Sequence, residues 1–512
     1  MKSFKPLLLM TAVVLTLSTL LSACGGNTDN GGAATEGSTG NGGAAQTATK
    51  VKTVLIGGKP ADFDMVLEQL NSKLKEKANA TMEVEFLDWA DWIQKYPLKF
   101  AASEDFDIVY TANWAFYNDQ ALKGGFMEIT EDMIKANMPL TQEAMPQVAW
   151  DQAKVNGKLY MIPNNRPEVI DKVVLIREDL RKKYNLEPVN SPETYATYLK
   201  TIGTNEKGIN AFNARAADGW KVHELDSIML EQNNEWKLID PNIPLAYKLD
   251  DASGKIFNVY DTQEYKDLLV YYKDIADNNG WSKNIVSNKN DVWQDMKAGK
   301  TASYAQNIGT VAMNLAELKR EQPEVELKIA DLNPDKKKKA AISTQNGFAL
   351  HAPSKKADSS LKVIDLLQND REIHDLFMYG ISGVHYEPVG DDKFSATPAT
   401  PNYTGFSNWA ANSPLNRVDA EYPAEAQAIS DGWESKIYHF PLETFVFNDE
   451  KVKNEMANVG NVMLRYAIPL EYGLVKDIEK GHADLLTQLK AAGVDKLQAE
   501  LQSQIDAFLS NK

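Results

Sequence analysis

Apolar and polar positions along this chain follow two rhythms, and the change from one to the other marks its elements. Thr53-Val54-Leu55-Ile56 is a short β-branched run ending on Gly57-Gly58, after which Phe63, Val66, Leu67, Leu70 and Leu74 recur at helical spacing. Met82, Val84 and Phe86 then alternate with Glu83 and Glu85, residues 92–102 read as a helix, and Asp107-Ile108-Val109-Tyr110 closes the series. The order is β-α-β-α-β. Strands joined by single helices of this length need crossover connections, so they are expected to lie parallel in one sheet, with ligands received past the strands' carboxyl ends. Residues 156–163 read as a turn and a short apolar strand stopping at Pro163, where the chain is expected to cross to a second lobe. A second α/β unit begins with Val173-Val174-Leu175-Ile176, a helix over 177–184, and a helix start at Ser191-Pro192-Glu193 with serine as cap and proline in the first turn. Residues 205–300 read as mainly helical with single tryptophans (Trp220, Trp236, Trp281, Trp293), and strands follow over 302–307 and 345–350. The remainder reads as a helix over 361–378, a long irregular connection over 385–416, and two helices between 483 and 509 broken at Gly493.

The start of the chain follows neither rhythm. Lys2 and Lys5 precede an uncharged apolar run, residues 7–21, that closes on Leu21-Ser22-Ala23-Cys24. The run is short for a membrane span, which needs about 20 apolar residues, and fits an export signal over residues 1–23. The Leu-Ser-Ala-Cys order looks like a bacterial lipobox, whose cysteine is acylated and becomes the first residue of the mature protein. Cys24, the single cysteine, is thereby expected to be the lipid attachment; a secreted protein with a free thiol is the alternative. Residues 24–50 are too poor in large apolar side chains to fold and read as a flexible tether. The formal charge is −16, or −18 once Lys2 and Lys5 leave with the signal, which speaks against a nucleic-acid partner. In so acidic a chain, the run Lys336–Lys339 reads as a solvated turn.

The lipobox, Ser103-Glu104-Asp105-Phe106-Asp107-Ile108-Val109-Tyr110, the stretch 156–163, Met296-Lys297-Ala298-Gly299-Lys300-Thr301-Ala302-Ser303-Tyr304 and Leu489-Lys490-Ala491-Ala492-Gly493-Val494 recur in this order over most of the chain. Together they resemble the family 1 extracellular solute-binding proteins, the lipid-anchored receptors of sugar-importing ABC transporters in Gram-positive bacteria. The stretch from Leu366 through Tyr379-Gly380 to His385-Tyr386 looks like a C-terminal extension of unassigned role found in one subgroup. The resemblance implies a two-lobed α/β fold of the periplasmic-binding-protein kind (type II-like), with hinge strands and an inter-lobe cleft. One lobe is expected to take residues 51–163 and about 341–400, the other 164–340 and about 401–512. It further implies capture of a saccharide, expected to be an oligosaccharide, by lobe closure, with ABC transporter permease subunits as partners. Membrane attachment outside the cell, a monomeric state and no cofactor, metal or catalysis are the remaining expectations.

A saccharide receptor needs aromatic plates for the C–H faces of sugar rings and planar amides or carboxylates for their hydroxyl rims. Trp89, Trp92, Trp114, Trp409 and Trp433 are the candidate plates, whereas Trp150, Trp236 and Trp293 sit among apolar neighbours and read as core. Asp62, Asp91, Asn113, Asn164, Asn165, Gln306, Asn307 and Asn346, at strand exits or near the proposed hinge, are the candidate hydroxyl partners. Arg166 and Glu168 follow the hinge and suit an acidic and a polar group respectively, or each other. The six histidines show no paired metal-ligand spacing, and neither a nucleophile elbow nor a phosphate loop is present. Two carboxylates suffice for a glycosidase, so an anchored glycoside-active enzyme is one alternative, and a receptor for a peptide or an acidic metabolite is another.

Overall fold

The computed structural model describes residues 47–102, 104–169, 171–214 and 223–510; the signal, Cys24, most of the tether and Trp220 lie outside them. The chain opens with β1 (Thr49–Ile56), α1 (Phe63–Ala78), β2 (Ala80–Leu87), α2 (Trp92–Ala101) and β3 (Ile108–Thr111). β1 runs parallel to β2, Thr49 opposite Ala80 through Ile56 opposite Leu87, and parallel to β3, with Thr53 opposite Ile108. α1 buries Phe63, Val66, Leu70 and Leu74, the residues its period sets on one side, and stops where Asn79 turns left-handed at φ 49°. Among the later elements are β4 (Ile162–Pro163), β5 (Lys172–Arg177), α3 (Pro192–Asn205), β6 (Ser303–Asn307), α4 (Ile308–Glu321), β7 (Leu327–Ala330) and β8 (Gly347–Leu350). Ser191 caps α3 as expected, its hydroxyl accepting from the Thr194 N–H at 3.3 Å.

The first sheet has the order β2-β1-β3-β8-β4. β8 runs antiparallel to both β3 and β4, unlike the three strands read from the sequence as parallel. It enters from the second lobe instead of through a crossover helix, so the handedness rule for consecutive parallel strands does not constrain it. In the second lobe β5 lies between β6 and β7, antiparallel to each. Two cores result. One gathers Val54, Leu55, Phe63, Tyr110, Phe348 and Ile364, and the other gathers Ile176, Tyr195, Leu199, Leu245, Tyr265 and Leu485. A smaller cluster joins Val173 and Leu175 of β5 to Val311 and Leu315 of α4 and to Trp433.

The first core retains the chain longer than expected, since Tyr403, Phe406, Ala410 and Ala411 all pack into it. The second lobe also holds an antiparallel sheet of Trp236–Leu238, Leu245–Lys248 and Phe257–Asn258 in a region read as helical. The segment read as irregular over 385–416 contains the pair Tyr386–Val389 and Lys393–Ala396, extended by Val418–Asp419. The helical stretch 361–378 is two helices, α5 (Ala357–Asn369) and α6 (Arg371–Tyr379), parted at Asp370, which caps the second. α7 (Ala424–Glu434), α8 (Ile478–Ala492) and α9 (Val494–Ser510) follow, and Gly493 separates the last two at φ 93°.

The lysine run is not a solvated turn. Lys338 is 0% exposed, its ammonium 3.0 Å from Asp331 and 4.6 Å over the ring of Trp433. Lys339 pairs with Asp171 at 3.4 Å, and Lys338 and Lys339 form a short parallel ladder with Ile437 and Tyr438.

Candidate functional site

The carboxyl ends of β1, β2 and β3 carry an array of four tryptophans, and a close backbone approach at Gly57 brings in the last of them. Gly57 holds φ +124°, and a Cβ there would lie 2.5 Å from the Gly405 carbonyl oxygen and 2.6 Å from the Phe406 Cα. With glycine in place, Ser407 closes on the end of β1: its N–H donates to the Ile56 carbonyl at 2.8 Å, and its hydroxyl accepts from the Ile56 N–H at 2.9 Å. Trp409, two residues on, stacks against Trp89 with ring centres 5.9 Å apart and planes 18° apart. Trp92, buried, stands edge-on to Trp89 at 6.2 Å and to Trp114 at 5.8 Å.

Each outer indole is fixed by its N–H. Trp89 donates to Gly405 O at 3.0 Å, Trp114 to Gln345 O at 2.9 Å, and Trp409 to the Tyr110 hydroxyl at 3.1 Å. That hydroxyl in turn donates to Asn346 Oδ1 at 2.8 Å, and burial holds the phenol well above its ordinary pKa, so it remains a donor. Trp114 is left 39% exposed as the open plate of the array.

Beside it runs the crossing segment that follows β4. The Asn164 N–H donates to Ser343 O and Asn346 O, at 3.2 and 2.9 Å, and the side chain is 1% exposed with both amide atoms unpartnered among the described residues. An amide with its hydrogen bonds unmade is costly to bury, which marks the place as one that water or a ligand completes. Asn165 is tied to Asn412 O at 3.0 Å and Ala144 O at 2.9 Å. The Arg166 guanidinium donates to Asn416 O at 3.4 Å, and the Glu168 N–H to Gln345 Oε1 at 3.4 Å. Across from them, Asn307 caps α4 by accepting the Thr310 N–H at 2.9 Å, and Gln306 accepts the Asn307 N–H at 2.9 Å.

The sequence candidates thus divide. Trp89, Trp92, Trp114, Trp409 and Asn346 form one connected array, with Asn113 beside it through a backbone bond to Thr344 O at 2.8 Å. Asn164 and Asn165 line the crossing, and Gln306 and Asn307 stand at the second-lobe strand exit. Asp62 is drawn elsewhere: its Oδ2 accepts from Asn402 at 3.0 Å and lies 3.3 Å from buried His385, so it fastens the loop before Trp409. Asp91 has one oxygen on Lys95 at 2.6 Å and the other buried without a partner among the described residues. Trp433 is not an open plate; it is buried in the small core and donates to Asp331 at 2.7 Å. Of the tryptophans read as core, Trp236 is fully packed, whereas Trp150 and Trp293 are half-buried at core margins. The sequence reading did not single out Tyr110, Gln345 or Ser407; a tyrosine ending an apolar strand was the one available signal.

A separate concavity of about 530 Å³, lined by Asn210, Asn213, Asn284, Asn288 and Asp295 among others, shares no residue with the array and offers no aromatic plate.

Residues 441–510 match the model of a domain of unknown function (DUF3502). Over its full length the chain is 23% identical to a carbohydrate ABC transporter substrate-binding protein of Streptococcus pneumoniae, across 524 aligned positions covering all of both chains. Its fold matches that of the N-glycan transport solute-binding protein NgtS of the same species, solved with Man1GlcNAc, at a TM-score of 0.74 and 21% identity, over 90% of this chain and all of the other. The full-length likeness is thus to a substrate-binding protein of an ABC transporter. The chain is also similar to the polygalacturonan/rhamnogalacturonan-binding protein YtcQ of Bacillus subtilis, 29% identical over 255 residues that make up 47% of each chain. It shares its fold with the alginate-binding protein AlgQ2 as well, at a TM-score of 0.64 and 16% identity over 90% and 98% of the two chains. The domain of unknown function takes in the C-terminal residues 441–510, whereas α5 and α6, which cover most of the stretch 366–386, pack into the first core.

Proposed function

We propose that this protein captures an oligosaccharide between its lobes and delivers it to the permease of an ABC transporter, without catalysis. The observation that carries the reading is the fixed tryptophan array, open at Trp114 and bordered by amides. Sugar C–H faces would stack on Trp114 and the Trp89–Trp409 edge, while Asn113, Asn164, Asn346, Gln306 and Asn307 meet hydroxyls. Asp91 contributes an acceptor at the rim, and Asn165 and Asp62 hold the segments in place. The two lobes correspond to residues 51–163 with 341–411 and 164–340 with 412–512. A ligand touching both binds the closed form better than the open one, and that difference in affinity alone shifts the population. Acylated Cys24 and the tether would keep the receptor as a monomer on the outer face of the membrane.

A thermal-shift screen of neutral and acidic oligosaccharides, peptides and organic acids tests the reading. A ligand at 100 times its dissociation constant adds about 2.7 kcal/mol of stability. The account expects that shift from a saccharide, with the saccharide recovered intact; release of new reducing ends would favour the enzyme reading, and a shift by peptides alone would end the saccharide reading.

A further inference from the structure

We propose that Glu168 is a ligand-contacting residue that makes the cleft select neutral over acidic saccharides. This rests on the saccharide reading above. Glu168 lies in the first crossing segment and is exposed, yet enough protein surrounds it that desolvation raises its carboxyl above the usual range, with Arg166 partly opposing. A side chain both open to water and enclosed by protein sits in a crevice. Its neighbours come from both lobes. Its N–H donates to the side chain of Gln345, whose carbonyl holds Trp114, and its Oε2 lies 3.7 Å from the point a Cβ on Gly309 would occupy, in the first turn of α4. The positive pole of that 14-residue helix, where an anionic ligand would otherwise be favoured, therefore already faces a carboxylate.

The cations of the crossing region are matched in the same way. Lys339 pairs with Asp171 at 3.4 Å and Lys172 stands 3.9 Å from Glu224. Arg417 is bound by Asp375 at 2.9 Å, and Arg320 by Asp419 and Glu421 at 3.0 and 3.1 Å. Arg166 makes no salt bridge among the described residues, and its charge acts on the Glu168 carboxyl, opposing the effect of burial. A uronate entering this place loses hydration and meets Glu168, while Arg166, the cation there without a salt bridge among the described residues, already acts on that carboxylate. A neutral sugar offers hydroxyl donors, which a carboxylate accepts well.

The test is calorimetric titration of the full mature chain at pH 7 with manno-, chito- and fructo-oligosaccharides and with oligogalacturonates of equal length. Wild type is expected to bind at least one neutral series roughly tenfold or more tighter than the acidic one. Glu168→Gln should narrow that ratio about tenfold, and Arg166→Gln, which leaves the carboxylate unopposed, should widen it. An acidic ligand binding tighter than every neutral one, or a ratio unmoved in both variants at unchanged thermal stability, overturns the role of Glu168 while leaving saccharide capture standing. Binding of no saccharide at all removes both.

Discussion

The carboxyl ends of β1 to β3 present rings and the end of β6 presents amides, and the two groups are held in different ways. Trp89, Trp114 and Trp409 are each pinned by an indole N–H to a carbonyl or to Tyr110, so the array is set before any ligand arrives. On the other side Gln306 and Asn307 bond mainly to each other and to the first turn of α4, a local arrangement that a ligand can exchange at little cost. Preorganised plates opposite adaptable amides suit a ligand that docks first on one lobe and is then closed upon by the other.

The hardest way to break the comparison is Gly57→Ala. Its Cβ has no room against Gly405 and Phe406, and φ +124° is strained for any side chain. A loss of about 3 kcal/mol in denaturant unfolding is expected, with binding lost because Trp409 leaves the array. Trp409→Ala should cost about 100-fold in saccharide affinity by calorimetry, whereas Trp433→Phe, removing an indole N–H from a buried bond to Asp331, should lower stability with little change in affinity.

A third experiment sharpens the contrast inside the second lobe. Burial lifts the Asp226 carboxyl to about 7 and that of Glu471 well above its usual range, the charge of Asp226 adding to the latter. They sit among Tyr272, Tyr265 and His223, itself pushed down to about 3 and therefore neutral. Raised folded-state values mean stability that is complete below the unfolded range near 4 and lost as pH climbs through about 7. Glu471→Gln removes one such proton, so its unfolding free energy should decline less steeply between pH 5 and 8, by up to about 1.4 kcal/mol per pH unit. The smallest effect is expected from Asn307→Ala, about 1 kcal/mol of stability from the lost cap, together with weaker binding.

How much of this was legible depended on the range of the interaction. β1 through β3, the Ser191 cap and the break at Gly493 follow from residues within a few positions of one another, and the sequence reading located them. Lys338 looked solvated because its neighbours in the chain are charged, and its burial depends on Asp331 and on Trp433, 95 positions away. Trp433 misled in the same way. The array was partly legible, since each tryptophan followed a strand or a loop, but its closure through Gly57 and Ser407 links positions 350 residues apart. The pairing of 386–396 with Val418–Asp419 was hidden by prolines and glycines that favour a loop reading.

The central claim, a saccharide seated on the open end of the tryptophan array, is tested most directly by intrinsic tryptophan fluorescence of the wild type and of Trp114→Ala, titrated with the oligosaccharide that gives the largest thermal shift. The account predicts a saturable change in the wild type that is strongly weakened in the variant. An unaltered titration curve in Trp114→Ala would contradict it.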